Sequence, residues 1–239
     1  MTRRRALIAG LGAMGTSIAL ALRESWDVFY IDRIDDLRGA TKGRGSFADD
    51  VDLTIIATPE DEALRVLPQT RGLVTSICSL MGPLRRAATG EFIAGHPMAG
   101  TERSGPDAAR ADMFRDVTWY LDRDHPLVRE LIETCGAKAE IIDADEHDRE
   151  VALGSHLPQL LSTALAAYLH GKRAISATGL RTFLRLAGSS GDMWKPLIAD
   201  NRDNIAPHAE AVARVVREML DGDPTDAFRK ANELYESIK

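Results

Sequence analysis

A glycine-rich turn near the amino terminus constrains the fold of this chain more than any other feature. The apolar run at residues 6–9 leads directly into Gly10-Leu11-Gly12-Ala13-Met14-Gly15, and a helical pattern follows. Glycines at this spacing, between a buried strand and a helix, are typical of the first turn of a dinucleotide-binding sheet. The first glycine permits a tight turn, the second lets a pyrophosphate approach the backbone, and the third lets helix and strand pack closely.

An acidic residue lies where such a sheet holds the adenosine ribose. Asp32 ends the second apolar run, 17 residues after Gly15, and an acid there accepts hydrogen bonds from the ribose hydroxyls. Its charge would repel a 2′-phosphate, although Arg33, Lys42 and Arg44 could bind one. We therefore expect NAD in preference to NADP, and a nicotinamide in preference to a flavin. The predicted cofactor residues are Gly10, Gly12, Met14, Gly15, Asp32, Arg33 and Thr58.

Short apolar runs alternate with helical patterns across the first 144 residues. Continuous apolar strands joined by helical crossovers predict a parallel sheet that is covered on both faces. The crossover at residues 33–51 contains three glycines and has weak helical periodicity, so we expect a loop or one short helix there. The runs that predict further strands lie at residues 27–32, 52–59, 72–79, 91–97, 117–122 and 137–144.

The chain after residue 144 shows only helical patterns. We expect breaks or bends near Pro158 and Pro207, and Asp223 and Pro224 are typical of the start of a last helix. The sequence therefore predicts an α/β protein, with an N-terminal Rossmann-type parallel sheet domain at 1–144 and an all-helical dimerisation domain at 145–239. Because such apolar helices need a partner to cover them, we expect a homodimer through the helical half.

Composition argues against several classes of protein. The net charge is −6, which disfavours nucleic acid as a partner. No stretch approaches the roughly 20 apolar residues of a membrane span. The two cysteines, Cys78 and Cys135, lack the spacing of metal ligands, so we expect no metal and a reduced, cytoplasmic protein.

His96 is the strongest candidate for chemistry among the six histidines. It lies among small residues in AGHPMAGTERSG and ends a predicted parallel strand, where open α/β sheets bind ligands. An imidazole with an ordinary pKa of about 6.5 can accept a proton from an alcohol as hydride leaves. A plain turn histidine stays an open alternative. For His147, in an acidic helix start, we expect a structural role, and His156 stays undecided.

Two arginines of the helical half, Arg181 and Arg185, are four residues apart, which places them on one face of a helix. Such a pair is either a solvated basic face or a clamp for a carboxylate, because guanidinium binds carboxylate in a bidentate manner. Together with the nucleotide motif, these residues predict an NAD-linked dehydrogenase that acts on a small anionic alcohol.

Several segments resemble the prephenate/arogenate dehydrogenases of tyrosine biosynthesis, and they occur in that family's order. The resemblance implies NAD-dependent oxidative decarboxylation, which converts prephenate to 4-hydroxyphenylpyruvate or L-arogenate to tyrosine. Hydride leaves the ring carbon that bears the hydroxyl, the ring carboxylate leaves as CO₂, and the ring becomes aromatic. The resemblance implies no metal. It does imply a dimer that forms through the helical domain. The matching segments are GLGAMGTSIA (10–19), GHPMAGTERSGPDAARADMF (95–114), DADEHDREVALGSHLP (143–158), GLRTFLRLAGSS (179–190) and MWKPLIADNRDNI (193–205).

The resemblance also implies roles for individual residues. His96 would be the base that hydrogen-bonds the substrate hydroxyl, and Ser79 would orient both the hydroxyl and the histidine. Arg185 would bind a substrate carboxylate. The remaining residues that the resemblance brings to the substrate are Glu102 near the entrance of the site and Ser155 and Gln159 on a helix.

Two departures from the family pattern leave the substrate open. Residues 76–81 read SICSLM, where the family usually has Asp-x-Gly-Ser-x-Lys, and Gln159 stands where a histidine is common. Prephenate and arogenate both stay open, as does a modified cyclohexadiene such as 4-amino-4-deoxyprephenate in secondary metabolism. A protein of another class, a non-catalytic NAD-binding sensor, is a further alternative.

Overall fold

The computed structural model describes residues 3–36, 38–100, 105–173 and 177–238. The chain packs as two compact units, the first comprising Met1–Glu150 and Gly188–Asp200, and the second Val151–Ala187 and Asn201–Lys239. The first unit thus takes in residues 145–150 and 188–200 from the half that the sequence assigns to the helical domain. The domain boundary predicted after residue 144 stays a prediction.

Six parallel strands form the main sheet of the first unit, in the order β3-β2-β1-β4-β5-β6. This is the strand order of a doubly wound dinucleotide-binding sheet, which confirms the predicted α/β class. The strands are β1 (Arg4–Ala9), β2 (Trp26–Ile31), β3 (Gly43–Arg44), β4 (Leu53–Ile56), β5 (Val74–Ser76) and β6 (Phe92–Ile93).

Helices cover both faces of this sheet, which explains its continuous apolar runs. Ile8 of β1 packs in the core with α1 (Ala13–Leu22) and α4 (Pro126–Thr134). The next residue, Ala9, points to the opposite face and packs with α2 (Glu60–Val66) and α3 (Gly82–Ala87). The crossover between β2 and β4 contains β3 and, among its described residues 33–36 and 38–51, no helix.

A second, three-stranded sheet contains the candidate base. Its strands are β7 (Gly95–Pro97), β8 (Thr118–Leu121) and β9 (Lys138–Ile141); β7 runs antiparallel to β8, and β8 parallel to β9. The prediction of one parallel strand over residues 91–97 is therefore wrong. The chain leaves the main sheet at Ala94, whose N–H donates to Asp122 Oδ1 at 2.8 Å. His96 consequently lies within β7 and not at the end of a parallel strand.

The rest of the described chain is helical, as the sequence predicts. The predicted break near Pro158 occurs just before it, as a π-helical turn at Ala152–His156, and a second break falls at Asn201. Pro207 lies inside a continuous helix. None of the described helices is long and apolar enough to cross a bilayer. The α-helices after β9 are α5 (Ala144–Val151), α6 (Leu157–Leu169), α7 (Thr178–Phe183), α8 (Gly191–Asp200), α9 (Arg202–Asp221) and α10 (Thr225–Ser237). A 3₁₀ turn at Leu184–Gly188 follows α7.

Candidate active site

The glycine turn after β1 has the geometry that a bound dinucleotide needs. Gly10 has a φ of +101°, and a Cβ there would lie 2.7 Å from the carbonyl oxygen of Ala57. A Cβ on Gly15 would lie 1.9 Å from the carbonyl oxygen of Gly10, so only glycine lets α1 pack this close. A Cβ on Gly12 would meet no atom within 4 Å. The turn is thus tight at its first and third glycines and open at its second, at the start of a helix that favours phosphate.

The Asp32 carboxylate lies beside this turn. Its Oδ2 accepts a hydrogen bond from the Leu11 N–H at 2.6 Å, and its Oδ1 accepts one from the Ile34 N–H at 3.0 Å. These two bonds fix the carboxylate at the end of β2, where a dinucleotide-binding sheet meets the adenosine ribose.

Two of the three cations that could bind a 2′-phosphate are paired with carboxylates. The Arg44 guanidinium donates to Asp35 Oδ1 at 2.8 Å and lies over the Tyr30 ring at 5.2 Å. The Lys42 ammonium is 3.9 Å from Asp27. Arg33 is exposed. The carboxylates of Asp35 and Asp27 therefore compete with a 2′-phosphate for Arg44 and Lys42. This competition favours NAD over NADP.

Thr58 and Met14 border the same turn. The Thr58 methyl would lie 3.0 Å from a Cβ on Gly10, and its hydroxyl is buried with no hydrogen-bond partner among the described residues. Met14 is half-buried at the start of α1. A buried hydroxyl without a partner is uncommon and can accept or donate a hydrogen bond to a ligand. The residues present therefore fit a nicotinamide dinucleotide.

His96 lies in a chain of hydrogen bonds with two residues that the sequence did not assign to chemistry. His96 Nδ1 is 3.0 Å from His147 Nε2, and His147 Nδ1 is 2.9 Å from Asp148 Oδ1. His147 and Asp148 lie on α5 and are only 1% and 5% exposed, whereas His96 is half-buried. His147 therefore contacts the candidate base directly, and the structural role that the sequence indicates for it stays a prediction.

Asp148 is held in turn by the backbone at the start of α3. Its Oδ1 accepts a hydrogen bond from the Met81 N–H and its Oδ2 one from the Gly82 N–H, both at 2.9 Å. The Met81 side chain is buried in the core. Ser79 is half-buried two residues before Met81, so the candidate serine and the backbone donors to Asp148 share one short segment.

Glu60 is a further buried acid of the first unit. It is 5% exposed, and neither carboxyl oxygen has a hydrogen-bond partner among the described residues. Burial, and after it the negative charges of Asp200 and Asp148, together raise the pKa of Glu60 from 4.5 to about 8. Glu60 is consequently protonated at neutral pH. Sequence reasoning does not find this acid, because an acid in the first turn of a helix is ordinarily solvated.

Glu60→Gln is expected to stabilise the protein at alkaline pH and not at acidic pH. Because the folded-state pKa of Glu60 is raised, its unfavourable contribution is absent below about pH 4.5 and grows to its full size near pH 8. The variant should gain about 2–5 kcal/mol in free energy of unfolding at pH 8.5 and little at pH 4.5. Urea unfolding at the two pH values measures this. Glu62→Gln, on the same helix with a half-buried side chain, is the control. An equal gain at both pH values would contradict the assignment.

The predicted substrate residues Ser155, Gln159 and Arg185 belong to the second unit. Ser155 is half-buried in the π-helical turn, and Arg185 is exposed in the 3₁₀ turn. The α-helix ends at Phe183, so Arg181 and Arg185 do not lie on one continuous α-helical face as predicted. Glu102 lies outside the described residues.

Two hydrogen bonds fasten the turn that carries Arg185 to α6. Gln159 Nε2 donates to the Leu186 carbonyl oxygen at 2.9 Å, and Ser162 Oγ donates to the Phe183 carbonyl oxygen at 2.8 Å. Gln159 is 5% exposed and also donates to Thr163 Oγ1 at 3.0 Å. Gln159 thus has a positioning role within its own unit, and its predicted contact with substrate stays a prediction.

His156, which the sequence left undecided, is buried in the second unit. Its Nδ1 lies 3.1 Å from Nδ2 of Asn201, the residue just before α9. Asn201 also accepts a hydrogen bond from Asn204 Nδ2 at 2.7 Å. These contacts lie at the break between α8 and α9.

The six-stranded parallel sheet, its glycine turn and the nearby histidine define the class of nicotinamide-dependent oxidoreductases. The family model described as the prephenate dehydrogenase nucleotide-binding domain matches residues 40–141. The model described as the prephenate dehydrogenase dimerization domain matches residues 143–230. The chain belongs to the prephenate dehydrogenase family.

Individual relatives agree with this assignment. The chain is 31% identical to a probable prephenate dehydrogenase, NovF, from Streptomyces niveus, over 91% of this chain and 68% of that protein. It is 29% identical to a prephenate dehydrogenase from Lactococcus lactis subsp. cremoris, over 88% of this chain and 70% of that protein. A crystal structure of prephenate dehydrogenase from A. aeolicus, in complex with hydroxyphenyl propionate and NAD+, has the same fold. Its TM-score is 0.85 at 21% identity, over 100% of this chain and 99% of that chain.

Proposed function

We propose that this chain catalyses the NAD-dependent oxidative decarboxylation of prephenate to 4-hydroxyphenylpyruvate, or of L-arogenate to tyrosine, in tyrosine biosynthesis. The observation that carries the proposal is the half-buried His96, hydrogen-bonded to His147 in the unit that also contains the glycine turn. Bound NAD supplies the acceptor for the hydride. Gly10, Gly12, Gly15 and Asp32 hold it, together with Met14, Arg33 and Thr58.

His96 acts as the general base. Loss of hydride from the carbon that bears the hydroxyl leaves positive charge on that carbon and its oxygen. An imidazole that withdraws the hydroxyl proton at that moment stabilises the charge, an effect of about 10²–10⁴ in rate. As the ring carboxylate leaves as CO₂, its bonding electrons complete the aromatic ring, and His96 returns the proton to the phenol oxygen. Ser79 orients the hydroxyl and the imidazole.

Arg185 binds a substrate carboxylate. Guanidinium offers parallel N–H donors that match the two oxygens of a carboxylate, and both candidate substrates are carboxylates. The bonds from Gln159 and Ser162 hold the backbone on either side of Arg185. Ser155 and Glu102 complete the proposed set of substrate contacts, with Gln159.

A substrate panel tests the proposed function. The protein is mixed with NAD and with prephenate, arogenate or 4-amino-4-deoxyprephenate in turn, and the absorbance of the reduced cofactor is followed. Reduction with prephenate or arogenate is the expected result. A marked preference for the amino-substituted ring would replace this function with that of a modified cyclohexadiene dehydrogenase. If calorimetry shows that the protein binds NAD but no substrate leads to reduction of the NAD, the protein would instead be a non-catalytic NAD-binding sensor.

Asp32→Ala is expected to weaken NAD binding by about tenfold or more, because hydrogen bonds to a charged group contribute about 1.5–3 kcal/mol. NADP affinity should fall less or rise, since the repulsion of the 2′-phosphate is removed. Calorimetry with both cofactors measures the ratio of affinities. Asp35→Ala, which releases Arg44, should raise NADP affinity and leave NAD affinity nearly unchanged. An unchanged ratio in Asp32→Ala would contradict the placement of the ribose.

We also infer a cytoplasmic homodimer that forms through the helical domain. The region matching the dimerization-domain model contains α9 and the first six residues of α10. Large apolar side chains on these helices are exposed, among them Val216 at 53%, Leu220 at 81% and Phe228 at 58%. A second copy that covers them removes this apolar surface from water. Cys78 and Cys135 are free and buried, which suits a reducing compartment.

A further inference from the structure

The hydrogen-bond chain behind His96 has a defined polarity. Asp148 accepts N–H donors at both of its oxygens, from Met81 and Gly82, and a carboxylate in this setting is an acceptor only. Asp148 Oδ1 also lies 2.9 Å from His147 Nδ1, so that ring nitrogen supplies an N–H to the carboxylate. A neutral His147 that carries its proton on Nδ1 presents a lone pair on Nε2.

That lone pair determines the tautomer of His96. His147 Nε2 lies 3.0 Å from His96 Nδ1, so His96 Nδ1 carries the proton and donates it. The lone pair of His96 is then on Nε2, the nitrogen on the other side of the ring. Nε2 is the atom that must accept the hydroxyl proton if His96 is a base.

We propose that His147 and Asp148 are positioning residues, which hold the catalytic histidine His96 in the tautomer that presents the Nε2 lone pair to the substrate. The proposal rests on the proposed function for its catalytic consequence, but the tautomer itself is a property of the protein without substrate. When His96 gains a proton, its Nδ1–H remains directed at His147, and Asp148 stabilises the extra positive charge through that ring.

The surroundings of His147 make this arrangement rigid. Its ring lies between His96, at an interplanar angle of 84°, and Tyr120 of β8, at a centroid distance of 5.7 Å. The Asp148 oxygens are fastened to the first backbone amides of α3. A buried, packed ring with both nitrogens in hydrogen bonds cannot rotate without losing two bonds and their partners.

Two substitutions of His147 separate positioning from packing. A glutamine at position 147 can place its amide oxygen near the former Nε2 and accept the hydrogen bond from His96, whereas leucine fills similar space without an acceptor. We expect His147→Leu to lower kcat by about 10- to 100-fold with little change in KM, and His147→Gln to recover at least a third of the activity. Equal activities for the two variants would overturn the proposal.

Asp148→Asn tests the source of the polarity. Asparagine removes the negative charge and sets its amide nitrogen against one of the two backbone amides that Asp148 accepts from, so His147 loses the charged acceptor that holds its proton on Nδ1. We expect kcat to fall by about 10- to 1000-fold, less than the roughly 10⁴-fold loss for an acid that contacts a catalytic histidine directly, because Asp148 acts through His147. Glu146→Gln, an exposed neighbour on the same helix, removes the same charge and should leave kcat unchanged.

Nitrogen-15 NMR of protein labelled at histidine reads the tautomers without substrate, with signals assigned from His96→Gln and His147→Gln. The expected wild-type result is protonated Nδ1 and unprotonated Nε2 on both rings, with a mixture of the two tautomers in Asp148→Asn. A wild-type His96 protonated on Nε2 would overturn the proposal whatever the activity. Conversely, the expected spectrum in a protein that reduces no NAD with any substrate would refute the proposed function and leave the tautomer assignment standing.

Discussion

His96→Ala is expected to lower kcat by about 10²–10⁴, the usual contribution of a general base, while NAD affinity stays within about twofold of the wild-type value. The loss falls on kcat because the imidazole accepts the hydroxyl proton only as hydride leaves, and the glycine turn and Asp32 are unchanged. Stopped-flow measurement of cofactor reduction in a single turnover, together with calorimetry for NAD, separates the two effects.

His125→Ala is the matched control for His96→Ala. His125 belongs to the same unit, where its Nδ1 accepts a hydrogen bond from the Leu127 N–H at 3.2 Å at the start of α4. Its removal should cost about 1 kcal/mol in free energy of unfolding and leave kcat unchanged. A near-normal rate in His96→Ala would remove the imidazole from the mechanism, and a loss of rate in both variants would point to general destabilisation instead.

Arg185→Ala is expected to raise KM for the substrate by about 10- to 100-fold, because a hydrogen bond between charged groups contributes about 1.5–3 kcal/mol. The effect on kcat should be smaller, since the carboxylate is bound in the ground state as well as in the transition state. Steady-state kinetics at saturating NAD measures both constants.

Arg185→Lys and Arg181→Ala show whether the effect is specific. Lysine keeps the charge and loses the planar pair of donors, so its KM should lie between those of the wild type and Arg185→Ala. Arg181 is exposed on α7, just before the turn that carries Arg185, and its removal should change KM by less than about threefold. An unchanged KM in Arg185→Ala, or an equal rise in Arg181→Ala, would show that the carboxylate partner is misassigned.

The features that sequence predicted well are those with local causes. The requirement for glycine at positions 10 and 15 is a property of one turn, and the acid at position 32 follows at the end of the next strand. Continuous apolar runs predicted the buried parallel sheet because side chains on both faces of each strand must be covered. The absence of alternating patterns after residue 144 predicted the helical half in the same way.

The features that sequence missed depend on contacts between distant segments. The run at residues 91–97 is divided at Ala94, whose N–H donates to the Asp122 carboxylate and not to a strand of the main sheet. The next residue, Gly95, passes so close to the carbonyl oxygen of Ser76 that a Cβ there would lie 2.8 Å from it. His147 was interpreted from its acidic neighbours, which suit a helix start, while its partner His96 is 51 residues away. From the sequence, Glu60 is likewise interpreted as a solvated acid at a helix start. Its burial, and the proximity of Asp200 on α8 and Asp148 on α5, depend on contacts between distant segments.

Simultaneous measurement of CO₂ and reduced cofactor tests the central claim most directly. The protein is incubated with NAD and either prephenate or arogenate, and CO₂, reduced NAD and the aromatic product are quantified in the same samples. Oxidative decarboxylation predicts all three in equal amounts with at least one of the two substrates, and their rate of formation lowered by about 10²–10⁴ in His96→Ala. Reduced cofactor without CO₂, or no reduction with either substrate, would contradict the account.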